Sequence, residues 1–285
     1  MGQQLFVTDF DGTLLNDNKT ISRKDLKTLQ ELKNRNVIIA VATGRSVHLF
    51  KKALLAMESG KGHKNIPLDY VIFSTGAGIM TFPAGKLIYK RAMDHLDIQK
   101  ITTYFDKCNI DYMVHKAIPD TSCFFHKSFG NHNPDFYTRL ALNEECAQPF
   151  PESFKNFGHA TQVLGIIPAG KTTHGIDAIK QSLPDFSVIH ATSPLDHQSS
   201  WIEVFHKDVS KSKAVSWLSK QLGIEKKDVI SVGNDYNDED LLSWSGQAYV
   251  VSNAPNSLKK RFKIVLSNNH SGVTQAVAAS GLFAS

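Results

Sequence analysis

The apolar positions of this chain change period several times, and each change marks an element. "QQLFVTDF" near the start is a short apolar run of strand type. In "SRKDLKTLQELKNRN" the residues Leu26, Leu29 and Leu32 recur at helical spacing, and Ser22 followed by Asp25 forms a capping-box-like entry. "VIIAVAT" is again a buried, β-branched strand, a second helix is expected from about Ser46 to Met57, and "DYVIFS" gives a third strand. Apolar runs without alternation imply strands covered on both faces, and strands separated by helices imply parallel pairing. The same order returns after about Trp201. Helix "SKAVSWLSKQLG" stops at Gly223, and strand "DVISVG", helix "DEDLLSWS", strand "AYVV", helix "NSLKKRF" and the strand-like "KIVLS" follow.

The middle breaks this order. From about Phe82 to Ser193 the spacing is irregular and the amphipathic stretches are short, which predicts an inserted second domain of α+β type within an α/β fold. A chain of 285 residues, 41% hydrophobic and 21% charged, is long enough and apolar enough for one large or two ordinary globular domains. Its formal charge of +5 suits a small anionic ligand and gives no basic tract of the kind that binds nucleic acid. No apolar run approaches the roughly 20 residues that span a bilayer. The three cysteines, Cys108, Cys123 and Cys146, lie far apart and lack C-x-x-C spacing, so reduced thiols and a cytoplasmic location are expected.

Candidate chemistry begins in "FVTDFDGTLL". A buried strand ends at Asp9 and Asp11 follows two residues later, with Gly12 permitting the turn, so two carboxylates are expected beyond one strand end. One can serve as nucleophile and the other as general acid and base, and a hard cation such as Mg²⁺ offsets their repulsion. "VIIAVATGR" ends the next strand at Thr43 and Gly44, a hydroxyl and backbone N–H groups suited to phosphate oxygens. "VISVGNDYND" ends a third in Asn234, Asp235, Asn237 and Asp238, acids and amides able to complete a cation site, and Lys211 precedes a helix expected near Ser212, where it can neutralise a phosphate.

Together, "DFDGTLL", "ATGR", "STGAGI", "IEVFHKDVSKSKAVSWL", "VGNDYNDEDLL", "VVSNAPNSLK" and "SGVTQAV" resemble the haloacid dehalogenase (HAD)-like hydrolases, and within them the Cof-type sugar-phosphate phosphatases with a type IIB cap. The resemblance covers nearly the whole chain. It implies a Rossmann-like parallel-sheet core at 1–82 and 194–285 and an inserted α+β cap at 83–193. It further implies Asp9 as the nucleophile that forms an aspartyl-phosphate and Asp11 as the acid and base. Phosphate would be held by Thr43, Gly44, Lys211 and Asn237, and Mg²⁺ by Asp9, Asp11, Asn234 and Asp238. The expected function is a Mg²⁺-dependent phosphatase of small phosphorylated metabolites, sugar phosphates first. A phosphomutase of the same superfamily and a weakly catalytic phospholigand-binding protein are the alternatives.

Two positions depart from the family pattern. Where it reads G-D-x-x-N-D, this chain has Asn234 in place of the first acid, which leaves open whether Asn234, Asp235 or Asp238 reaches the metal. Thr75 stands where Asn is frequent and is given no chemistry. Lys213 competes with Lys211 for the phosphate role, and the family spacing favours Lys211. "GIIPAGKT", Gly165 to Thr172, matches the letters of a P-loop. Ile166, Ile167 and Pro168 make a poor phosphate nest, however, and a cap turn is expected there. His115, Lys116, His126, Lys127, His132 and Arg139 are read as a solvated cap face, with binding of the substrate's non-reacting part as the weaker alternative.

Overall fold

The computed structural model describes residues 2–57, 66–130, 132–151, 158–171 and 175–282. It divides into two units, Met1–Tyr89 with Ser210–Ser285, and Lys90–Val209.

The strands of the first unit, numbered along the chain, are β1 (Leu5–Asp9), β2 (Ile38–Ala42), β3 (Tyr70–Phe73), β4 (Gly78–Thr81), β5 (Leu87–Lys90), β12 (Val229–Gly233), β13 (Gln247–Val251) and β14 (Lys263–Val265). They form one sheet in the order β14-β13-β12-β1-β2-β3-β4-β5. Pairing is parallel from β14 to β3 and turns antiparallel at β4. β1 is buried along its whole length between β2 and β12, as its unbroken apolar run requires. Helix α1 (Arg23–Asn34) starts as its sequence dictates, with Ser22 Oγ accepting from the Asp25 N–H at 3.0 Å and Leu29 and Leu32 buried.

The second unit holds a six-stranded sheet in the order β10-β11-β9-β6-β7-β8, from β6 (Asp111–Lys116), β7 (Phe124–Lys127), β8 (Ala147–Pro149), β9 (Ala160–Ile167), β10 (Phe186–Thr192) and β11 (Ser200–His206). Its pairs are antiparallel except β7 with β8. Ile98, Ile101 and Phe105 of α3 (His95–Lys107) and Ile179 of α5 (Ile176–Ser182) pack with Tyr112, Val114, Val163, Ile202 and Val204. Phe136 of α4 (Pro134–Ala141) packs with Met113, Leu164, Ile166 and Trp201.

The division points differ from the sequence expectation of 82/83 and 193/194. β4 and β5 extend the first sheet up to Tyr89, and β11 lies inside the second sheet, in register with β9 and β10. A strand buried on both faces reads the same in either sheet, so only pairing assigns it. Trp201 accordingly packs in the second unit, whereas Trp217 and Trp244 pack in the first.

The cysteines also differ from expectation, since Cys123 and Cys146 form a disulfide and Cys108 is free. The cause is pairing: β7 and β8 align Phe124 with Ala147, which places the residues just before them side by side. In "GIIPAGKT", Gly165, Ile166 and Ile167 belong to β9, where they align with β6 and β11 in the sheet instead of forming an anion nest. Thr172 lies outside the described residues. No helix among the described residues is long and apolar enough to cross a membrane.

His115 is not on a solvated face. It is 3% exposed, with Nδ1 2.8 Å from the Thr121 carbonyl and Nε2 3.4 Å from Arg139 Nη2. Burial first, and then the Arg139 charge, lower its pKa to about 3. The unfolded chain takes up a proton near pH 6.5 that the folded chain refuses, so this site contributes stability above that pH and loses it on acidification. Between pH 7.5 and 5 the loss should be about 2 kcal/mol. His115→Gln keeps a donor and an acceptor but does not titrate. Denaturant unfolding at the two pH values should show the variant with the shallower pH dependence by that amount.

Candidate active site

In an open parallel sheet, ligands bind beyond the carboxyl ends of the strands. Here three neighbouring strands deliver the candidate residues at that edge. Asp9 is the last residue of β1, Thr43 and Gly44 follow β2, and Asn234 follows β12. Lys211 is the first residue of α6 (Lys211–Gln221), one position earlier than expected, because Ser210 is the N-cap and accepts from the Lys213 N–H at 3.2 Å.

Lys211 is fully buried, and its Nζ donates to Asp9 Oδ1 at 2.6 Å and to Asp238 Oδ1 at 2.5 Å, with Asn237 Oδ1 at 3.4 Å. Lys213 is exposed. Asp238 uses its other oxygen, Oδ2, to accept from the backbone N–H groups of Asn234 at 2.8 Å and Asp235 at 3.1 Å. That fold-back needs Gly233, where an added Cβ would stand 2.6 Å from Asp238 Cγ. Asp238 therefore fixes the lysine and the loop with both oxygens, which leaves it poorly placed as a metal ligand.

Two buried carboxylates share one ammonium, so one negative charge lacks a partner. Burial, and then repulsion from Asp238, push the Asp9 carboxyl up to about 7 despite Lys211. The two carboxylates in turn hold the Lys211 ammonium protonated, its pKa raised against the opposing effect of burial. The excess charge at Asp9 calls for a cation.

Asp11 is partly exposed and faces Arg45, which donates from Nε to Oδ2 and from Nη2 to Oδ1, both at 2.6 Å. This two-pronged grip fixes the carboxylate plane. Arg45 lay inside the "ATGR" segment, but without a role, because nothing in the sequence shows that its fork meets Asp11. Arg45→Met should lower kcat by about 10- to 100-fold, part of the 10²–10⁴ that a positioned acid or base contributes, with far-UV circular dichroism unchanged. Steady-state kinetics beside the spectrum checks this.

Thr43 is buried, with Oγ1 accepting from the Arg45 N–H at 3.1 Å, and its carbonyl accepts from the Thr75 N–H at 3.0 Å. A Cβ built on Gly44 would lie 3.6 Å from Thr75 Oγ1 and 3.8 Å from Asn237 Nδ2. Gly44, Thr75 and Asn237 thus converge beside Lys211, a set of hydroxyl, amide and ammonium groups suited to an oxyanion. The sequence gives no sign of chemistry at Thr75, and only the folded chain brings it to this spot.

A divalent cation has a matching donor set. The outer atom of the Asn234 amide lies 3.0 Å from the Asp11 carbonyl oxygen and 3.1 Å from Asp9 Oδ2. Mg²⁺ with bonds of about 2.0–2.1 Å places adjacent ligands about 3 Å apart. An Asn234 oxygen stands at that spacing from both Asp9 Oδ2 and the Asp11 carbonyl. Among the described residues no cluster of three or more His, Cys, Asp or Glu side chains forms a site by itself. The Asp11 carboxylate is with Arg45, and its backbone oxygen is what turns to Asp9 and Asn234.

A parallel sheet whose central strand ends in a buried, lysine-bridged aspartate, beside an oxyanion cradle and oxygen donors for a cation, defines a phosphoryl-handling hydrolase core. The chain belongs to the haloacid dehalogenase-like hydrolases, whose family model matches residues 6–277. A Streptococcus pyogenes protein provisionally named a phosphatase is 26% identical over 97% of this chain and 98% of its own length. The 5-amino-6-(5-phospho-D-ribitylamino)uracil phosphatase YwtE of Bacillus subtilis is 23% identical over 93% of each chain. Among solved structures, a HAD-superfamily phosphatase from Bacteroides thetaiotaomicron superposes with a TM-score of 0.74 at 17% identity, covering 98% of this chain and 96% of its own. A HAD subclass IIB sugar phosphatase gives 0.73 at 16%, covering 98% of this chain and all (100%) of its own. The expected α/β fold and family are thereby established, and the protein is an enzyme of the hydrolase class.

Proposed function

We propose that this enzyme is a Mg²⁺-dependent phosphatase that hydrolyses small phosphomonoesters, sugar phosphates foremost, through an aspartyl-phosphate on Asp9. The observation that carries this reading is the buried Lys211 bridging Asp9 and Asp238 beside the Gly44, Thr75 and Asn237 cradle. Relatives and structural neighbours named as phosphatases support it.

In the first step an Asp9 carboxylate oxygen attacks phosphorus, the bond to the alcohol oxygen breaks, and Asp11 gives its proton to that oxygen. In the second, water attacks the acyl phosphate, Asp11 takes the water's proton, and inorganic phosphate leaves with Asp9 restored. Lys211, the Thr43 hydroxyl and the N–H of Gly44 hold the phosphoryl oxygens, Asn237 supports Lys211, and Arg45 orients Asp11. Mg²⁺ held by Asp9 Oδ2, the Asp11 carbonyl and Asn234 would supply charge neutralisation between carboxylate and phosphate. Asp238 acts here as a positioning group and not as a ligand.

Every phosphomonoester shares the group gripped by this core. Discrimination must therefore come from residues that touch the remainder of the molecule. The proposed partner is a small phosphorylated metabolite, with neither nucleic acid nor membrane involved. Phosphate release across sugar phosphates, nucleotides and pyridoxal phosphate, with Mg²⁺ and with EDTA, tests the proposal. Release that is rapid with Mg²⁺, abolished by EDTA and selective for sugar phosphates is expected. No release from any ester, or transfer of phosphate to a second sugar in place of water, would overturn it.

A further inference from the structure

Asn234 stands at the one position where this chain replaces the acid expected from its family resemblance, and its surroundings suit two opposite orientations. The outer atom of its amide has three neighbours: the Asp11 carbonyl oxygen at 3.0 Å, Asp9 Oδ2 at 3.1 Å and Thr13 Oγ1 at 3.1 Å. The carbonyl oxygen only accepts hydrogen bonds, the Asp9 oxygen accepts when its carboxyl is ionised, and the third can accept or donate. With nitrogen outward, the two N–H bonds satisfy the carbonyl and the carboxylate without any ion. With oxygen outward, the amide accepts from the Thr13 hydroxyl but faces two further oxygens, an arrangement that a cation between them makes favourable. The other end of the amide lies against Gly12. A Cβ there would stand 2.6 Å from the Asn234 nitrogen, so this glycine leaves the amide room to turn.

We propose that the Asn234 amide is a stand-in for the divalent cation. Without the ion its N–H groups bridge Asp9 and the Asp11 backbone, and on loading it turns over to present its oxygen. The loading half rests on the metal-dependent reading above. An aspartate at this position has no donor to offer, so it would depend on the cation to hold three oxygens together. The asparagine keeps the nucleophile loop ordered with or without the ion, and cation binding must then displace two hydrogen bonds that an aspartate never forms. Asn234 is in this sense a positioning residue for Asp9, and it trades cation affinity for cation-independent order.

The test uses the full chain with Mg²⁺ alone as the probe. In EDTA, thermal unfolding should place the parent above both Asn234→Asp, which sets a second carboxylate against Asp9, and Asn234→Ala, which removes the bridge. On adding Mg²⁺ the order of parent and Asn234→Asp should reverse, and calorimetric titration should give Asn234→Asp a dissociation constant for Mg²⁺ at least about 10-fold lower. In the parent, the Asn234 side-chain N–H resonances should be those of a hydrogen-bonded pair in EDTA and should move on titration. Equal unfolding temperatures for all three proteins in EDTA would overturn the bridge. Side-chain resonances indifferent to Mg²⁺, in a protein that calorimetry shows to bind it, would overturn the turnover of the amide. Failure of the phosphatase reading is seen separately, as absent phosphate release from the substrate panel, and leaves the EDTA comparison intact.

Discussion

Asp9→Asn is expected to abolish turnover while leaving the protein folded and, in EDTA at pH 8, at least as heat-stable as the parent. The loss should be at least about 10³-fold in kcat, because the group proposed to form the covalent bond to phosphorus is replaced by an amide that cannot. The stability half follows from the sign of the Asp9 shift. Burial and Asp238 push its carboxyl up to about 7, above the ordinary 3.8, so its ionised form opposes folding at pH values above that range. A neutral, isosteric side chain removes that opposition and its carbonyl oxygen still accepts from Lys211, which outweighs the loss of the acceptor that faced Asn234. The stability gap between variant and parent should narrow as pH falls from 7 towards 4, where the parent's own carboxyl takes up its proton. Single-turnover phosphate release and calorimetric melting at pH 4 to 8 measure both halves. Near-normal hydrolysis by the variant would dispose of the covalent mechanism.

Lys211→Met is expected to damage both stability and activity. The ammonium is fully buried and bridges two carboxylates that are themselves buried, Asp9 at 5% and Asp238 at 0% exposure. Removing one partner of such a buried pair strands the charges that remain, at a cost of about 3–5 kcal/mol. Turnover should fall with it, since the phosphate loses its principal cationic contact. The double variant Lys211→Met/Asp238→Asn separates the two effects. It relieves the stranded charge on Asp238 and should recover a good part of the stability while recovering no activity. Urea unfolding and phosphate release on the parent, single and double variants give the comparison. A single variant as stable as the parent would show that the bridge does not contribute to the fold.

Much of this was legible in the residues. The strand ending at Asp9 declares itself because so short an apolar run reads as a strand covered on both faces, and Gly12 after the two acids permits the turn. The cap of α1 lies in local sequence, since Ser22 bonds to the N–H three residues on, whereas the start of α6 was expected near Ser212 and Ser210 sets it at Lys211. Thr43, Gly44 and Asn234 follow neighbouring parallel strands, beyond whose carboxyl ends ligands bind, so their gathering at one edge is also foreseeable.

Other features depended on contacts between residues far apart in the chain. β11 could have joined either sheet, because its residues are buried on both faces wherever it pairs. Cys123 and Cys146 became neighbours only through the parallel pairing of β7 with β8. The sequence by itself determined the α/β grammar and the carboxylates at the strand end, which rest on local periodicity and local caps, and its motifs carried the family resemblance. Tertiary structure decided that the Asp238 oxygens go to Lys211 and the loop N–H groups, that Arg45 takes the Asp11 carboxylate, and that the Asp11 backbone oxygen joins Asp9 and Asn234. A carboxylate has two oxygens and no local preference among lysine, arginine, backbone N–H or cation. Which partner it takes is fixed only when distant segments are folded to within about 3 Å of it.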